Sequence, residues 1–198
     1  MTSGGLGTLP LKIYQPNGWA GRVPGHTVSE VDETILVEER GQLLEFSYTD
    51  MLCYAGPYSP AGVATAFKVM QRAFAALSGN QPPQRRSIVI RTAFAGPGAR
   101  DGFEAVTRAF TDGRYTVDPA LARPDRGRLL QSFVFQVIIA GRAATLLLRK
   151  GFVNAEFIDL AGKPERDQAE EAHLDQLKAE LAQRVLATPA EDVYELAD

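Results

Sequence analysis

The sequence predicts an α+β domain, an antiparallel or mixed sheet with packed helices, and three stretches carry that expectation. The first is LLQSFVFQVIIA (129–140), the turn Gly141-Arg142, then AATLLLRKGFV, two β-rich runs joined as a hairpin. The second is Val63, Phe67, Met70, Phe74 and Leu77, one apolar stripe at helical spacing. The third is Leu174, Leu177, Leu181 and Val185, one face of a helix from about 166 to 187 whose opposite face is charged.

The remaining elements follow in chain order. Residues 1–30 are rich in glycine and proline and read as an extended arm lying on the domain or on a partner, and 31–198 as a single domain. Thr34 to Tyr48 holds two β-rich runs around a Gly-containing turn, hence a hairpin. YAGPYSPAG (54–62) is a turn cluster leading into the first long helix, with Ser59 as N-cap and Pro60 at the first helical position. Ser78-Gly79-Asn80 ends that helix, and Pro82-Pro83 links it to a buried strand, SIVIRTAF (87–94). After the loop AGPGAR, Asp101 is positioned to cap a helix over 102–111, with Phe103, Val106 and Phe110 facing inward. Asp112-Gly113 closes it, Tyr115 to Val117 is a short strand, and 118–128 is a polar loop.

Composition excludes several classes. Of 198 residues, 45% are hydrophobic and 23% charged, ordinary values for a globular domain. A net charge of −3 argues against nucleic-acid binding, which needs a basic face; Arg85-Arg86 and Arg123 to Arg128 read as solvated loop charge. The single cysteine, Cys53, permits no internal disulfide, and the N-terminal stretch lacks the pattern of a secretory signal. The most apolar segment, Phe133 to Leu148, is broken by Gln136 and Gly141-Arg142, too short for a membrane span. A soluble, cytoplasmic protein is the expectation.

No metal or cofactor is expected. His26, His173 and Cys53 are too few and too scattered for a His/Cys site, and no Asp/Glu loop pattern supports a carboxylate-only one. His173 sits among Glu170, Glu171 and Asp175 on the wet face of the last helix. Cys53, in a Met-Leu-Cys-Tyr run beside strand-like sequence, reads as a small buried hydrophobe. Ala95 to Gly98 follows a strand and precedes a helix, a context suited to anion binding at a helix start. Arg91 and Arg100 flank it. Together with the turn at 54–60 it forms the candidate pocket: Tyr54, Gly56, Tyr58, Ser59, Arg91, Arg100 and Asp101 as ligand contacts.

Four segments, YAGPYSPAGVATAF, RSIVIRTAF, GPGARDGFEAVTRAFTDGRY and QSFVFQVIIAGRAATLLL, occur in an order and spacing that resembles the formylmethanofuran dehydrogenase E-subunit family, over roughly residues 46 to 196. That family carries an HGHxCPG-type signature before its first long helix. The matching stretch here places Ala55 and Pro57 at its histidines and Ser59 at its cysteine. The family's second cysteine falls near Gly98, and its third is lost within Thr107 to Phe110. The resemblance implies a retained fold, a homodimer, and a pocket stripped of its metal ligands.

Three readings follow. The first is a metal-free relative of that family that binds a small anionic metabolite or serves as an accessory subunit in one-carbon or redox metabolism. The second is an enzyme with rewired acid–base chemistry, a lyase, isomerase or hydrolase, using Asp101 as base and Tyr58 as acid. The third is an assembly protein acting on a protein partner through its arm and dimer surface. Neither nucleic acid nor membrane is an expected partner.

Overall fold

The computed structural model describes residues 33–79 and 81–197, so the arm expected at 1–30, with His26, lies outside the described residues. Arg40 and Gly41 both take positive φ, 54° and 78°. That backbone suits a tight hairpin, and it joins β1 (Thr34–Glu39) to β2 (Gln42–Ser47), with Thr34 opposite Ser47 and Glu39 opposite Gln42. Ile35 and Val37 are buried, as strand alternation requires.

Ser47 then starts α1 (Tyr48–Ala55) through a reciprocal capping box with Asp50. Cys53 is therefore exposed on a helix; it is not the buried strand-flanking residue that its sequence context predicts. After a turn at Gly56, α2 (Pro60–Ser78) begins with Ser59 at the N-cap and buries Val63, Phe67, Met70, Phe74 and Leu77 along the expected stripe. It runs through the centre of the domain and packs on helices as well as strands, so nearly its whole circumference is apolar or small.

β3 (Val89–Thr92) follows, then α3 (Pro97–Thr107) and β4 (Tyr115–Val117). α3 starts four residues before the predicted cap, because Pro97 fixes the first helical φ and Gly96 takes the N-cap position. Asp101 lies inside the helix. The helix also ends early, at Arg108 in the left-handed region (φ 56°). Phe110 falls in the turn beyond and is 52% exposed, where an inward face is expected from the sequence.

β5 (Val134–Ile139) and β6 (Arg142–Leu148) form the long hairpin, and Ala140-Gly141 supply the turn, one residue earlier than expected. α4 (Ala155–Gly162), α5 (Gln168–Leu186), α6 (Ala190–Val193) and β7 (Tyr194–Leu196) complete the chain. The larger sheet has the order β4-β3-β5-β6-β7, parallel between β3 and β4 and antiparallel elsewhere. With six helices, a mixed five-stranded sheet and a two-stranded one among the described residues, the domain is α+β. No helix among the described residues is long and apolar enough to cross a membrane.

The core joins α2 and α3 to one sheet face. Phe103, Phe135 and Tyr194 stack across it with centroids about 6 Å apart, Phe135 and Tyr194 edge to face. The alternation along β3 puts Ile90 and Thr92 into this core and turns Arg91 to the opposite face.

A chain of ion pairs ties β1 to the loops around α3. Arg85 and Arg86 both reach Glu39, at 2.8 and 2.6 Å, and Arg86 and Arg114 both reach Asp112 at 2.9 Å. Arg85 also donates to the carbonyls of Val106 and Ala105 at the end of α3, where a cation is favoured by the helix dipole. The guanidinium of Arg86, then that of Arg85, holds the Glu39 carboxyl below its ordinary range, and Arg114 with Arg86 does the same for Asp112.

A depressed folded-state value means the unfolded carboxylate binds more protons. The stabilisation is therefore complete above the unfolded value and is lost as pH falls through the folded one. The melting temperature should stay level from neutrality to about pH 5 and decline below about pH 4. Asp112→Asn should lower it at pH 7 and flatten the acid decline; an unchanged acid slope in that variant would rule out Asp112 as a source of the decline.

Candidate functional site

Two helix starts meet in this fold. Gly62 in the first turn of α2 lies so close to α3 that a Cβ there would sit 2.6 Å from the Ala99 nitrogen. Gly98 abuts Ser59: a Cβ on Gly98 would stand 2.8 Å from the Ser59 Cβ and 3.2 Å from its hydroxyl. Only backbone with no side chain allows two helices to approach this closely at their N-termini.

Beside this junction is a cavity of about 330 Å³. Its walls come from the α2 start, the β3–α3 turn, Phe133 before β5, and the inner faces of α4 and α5. The volume is near the lower end for small-molecule sites, roughly 300–1,000 Å³. Phe94 and Phe133 form one wall as a stacked pair, centroids 4.7 Å apart. Ser59 caps the helix by position only; its side chain makes no cap bond and stays available to the cavity.

The charged side chains lining the cavity are Arg166 and Lys178, both cations. Arg166 is heavily committed. Its NH1 donates to the carbonyls of Leu160, Ala161 and Lys163 at 3.2, 3.5 and 2.8 Å, capping the end of α4, and its Nε donates to Glu171 at 2.8 Å. Lys178 has one partner, Asp175 at 2.9 Å, in an (i, i+3) surface pair.

Of the residues singled out in the sequence as ligand contacts, Tyr58 and Ser59 line this cavity, and Tyr54, Gly56, Arg91, Arg100 and Asp101 do not. Tyr54 is 53% exposed on α1, and Gly56 serves the turn, with φ 87° and its N–H donated to the Leu52 carbonyl. Arg91, on the far face of the sheet, pairs with Asp118 at 2.6 Å. Arg100 binds its neighbour Asp101 at 2.8 Å and lies over the Phe110 ring, 4.9 Å from its centroid. Asp101 and Tyr58 thus do not share this cavity.

Among the lining residues that the sequence does not single out are Arg166, Lys178, and Phe157 and Ile158 on α4. A signal for α4 exists: Asn154 caps it by accepting from the Phe157 N–H at 2.8 Å, ahead of an amphipathic run. Nothing marks the two cations, since a charged residue on a helix reads as solvated until the neighbouring helix is placed.

His173 pairs with Glu156 at 2.8 Å on the α4–α5 surface. Among the described residues, no three of His, Cys, Asp and Glu are grouped so as to hold a metal ion. Burial pushes the Tyr115 hydroxyl up to about 12, so it keeps its proton at neutral pH. No protein-family model matches the chain, and no curated protein matches it in sequence.

Proposed function

We propose that this chain is a metal-free relative of the formylmethanofuran dehydrogenase E-subunit family that binds a small anionic metabolite in the cavity between α2, α3, α4 and α5. One observation carries the reading. Ser59 and Gly98, the positions that the resemblance aligns with metal-binding cysteines, lie in contact at the wall of a cavity whose charged lining is cationic. The uncapped first turn of α2 adds the positive end of a helix dipole at the same wall. An anion gains from both, and a low-dielectric apolar lining strengthens each interaction.

The acid–base reading is less well supported, because Asp101 is held by Arg100 away from the cavity and Tyr58 is 72% exposed at it. A binding role needs neither residue as a proton carrier. Binding stabilises the folded state by mass action, by about 2.7 kcal/mol at a hundredfold excess over Kd, and so raises the melting temperature. A thermal-shift screen of carboxylates and phosphates should therefore return some that stabilise the protein by several degrees. A screen in which no anion stabilises it would overturn the proposal.

A further inference from the structure

The character of the cavity narrows the ligand, on the premise that the cavity is an anion site. The uncharged polar side chains on its wall are Tyr58, Ser59 and Thr65, and Phe94, Phe133, Phe157, Ile158, Leu174 and Leu181 make most of that wall apolar. A phosphate, citrate or sugar phosphate would bury polar oxygens against these side chains with few donors to satisfy them, which is costly. The two cations are also unequal. Arg166 directs its NH1 to the carbonyls of Leu160, Ala161 and Lys163 at the end of α4 and its Nε to Glu171, so it is held in place as a structural cap and its charge is countered by Glu171. Lys178 holds only Asp175, an exposed acid one turn away on its own helix, and such pairs contribute little. Its ammonium carries three donors, of which Asp175 takes one, and the residue lines the cavity.

We infer that the ligand is a small apolar monocarboxylate, with an aryl or compact branched body packed among Phe94, Phe133 and Phe157 and its carboxylate held by Lys178. One available cation matches one negative charge. The tilted Phe94–Phe133 pair, 31° between rings, offers aromatic faces suited to a flat ring. The cavity volume of about 330 Å³ admits a ligand of phenylacetate size. The Ser59 hydroxyl, which makes no cap bond, supplies a further donor for the carboxylate.

Calorimetric titration of the full chain with phenylacetate, 2-phenylethanol and inorganic phosphate tests this directly. Phenylacetate should bind, the neutral alcohol should bind roughly tenfold more weakly, and phosphate should give no heat of binding. Lys178→Met should remove the preference for the acid over the alcohol while leaving the alcohol's affinity within about twofold. Lys178→Arg should restore part of that preference, which separates a charge effect from lost packing.

The contrary outcomes are distinct. Phosphate binding without phenylacetate binding would overturn the apolar class and leave the anion site standing. Equal affinity for phenylacetate and 2-phenylethanol, unchanged by Lys178→Met, would overturn both. So would silence from all three probes in a protein whose unliganded melting temperature shows it is folded.

Discussion

Gly62→Ala is expected to lower the melting temperature by several degrees, up to roughly 8 °C, although alanine is the better helix former. The new methyl would meet the Ala99 nitrogen at 2.6 Å and the Gly98 carbonyl carbon and Cα at 2.7 and 2.8 Å. These are backbone atoms at the start of α3, and they cannot rotate away as a side chain would. Relief requires α2 and α3 to separate, which strips the close contact of Gly102 with Val63 and Ala66. Overpacking of this kind costs about 1–3 kcal/mol and sometimes more, against about 1 kcal/mol gained in helix propensity. Thermal denaturation by circular dichroism reads the result. Because Gly62 also lines the cavity, the variant should lose any ligand stabilisation that the parent shows.

Glu104→Ala should be as damaging, for an electrostatic reason. The Glu104 side chain is 3% exposed within α3. Its Oε2 accepts from the Phe110 N–H at 2.7 Å and the Thr111 N–H at 3.2 Å, its Oε1 accepts from the Thr111 hydroxyl at 2.6 Å, and Arg108 lies at 3.5 Å. This one carboxylate satisfies the turn that leads α3 into β4. Its removal orphans two backbone donors and leaves Arg108 without its partner. The turn residues Phe110 and Thr111 are exposed, so water replaces part of the lost acceptor and a total of about 1–3 kcal/mol is expected. Glu104→Gln keeps an acceptor for the turn and should cost less. Chemical denaturation of the two variants side by side separates lost hydrogen bonds from lost charge.

Much of the fold is legible in the sequence wherever apolar periodicity is long. The α2 stripe, the α5 face and the β5–β6 hairpin each span enough residues to declare their period, and all three stand as expected. Short elements escape. α1 continues a β-rich stretch through Met51 and Leu52, and its Ser47–Asp50 capping box is outweighed by that run. β7 is three residues among acidic neighbours, and only its pairing with Leu146 to Leu148 makes it a strand.

The site is less legible than the fold. That two helix starts converge is readable from Ser59-Pro60 and Gly96-Pro97, and the structure brings them together. Closeness in sequence alone puts Arg91 at the pocket. Strand alternation sends it to the other face, and no single-strand pattern says which face will be covered. Asp101 is a good capping residue in the abstract, but a proline four residues earlier sets the helix start first. Lys178 depends on how α5 rotates against α2, which only tertiary packing decides.

Native mass spectrometry on protein purified from its own host, with elemental analysis alongside, asks most directly whether the cavity holds a small anion in place of a metal. A stoichiometric organic adduct of low mass, lost on unfolding, is expected, with no metal at stoichiometric level. A stoichiometric metal ion with no organic adduct would contradict the proposed binding role.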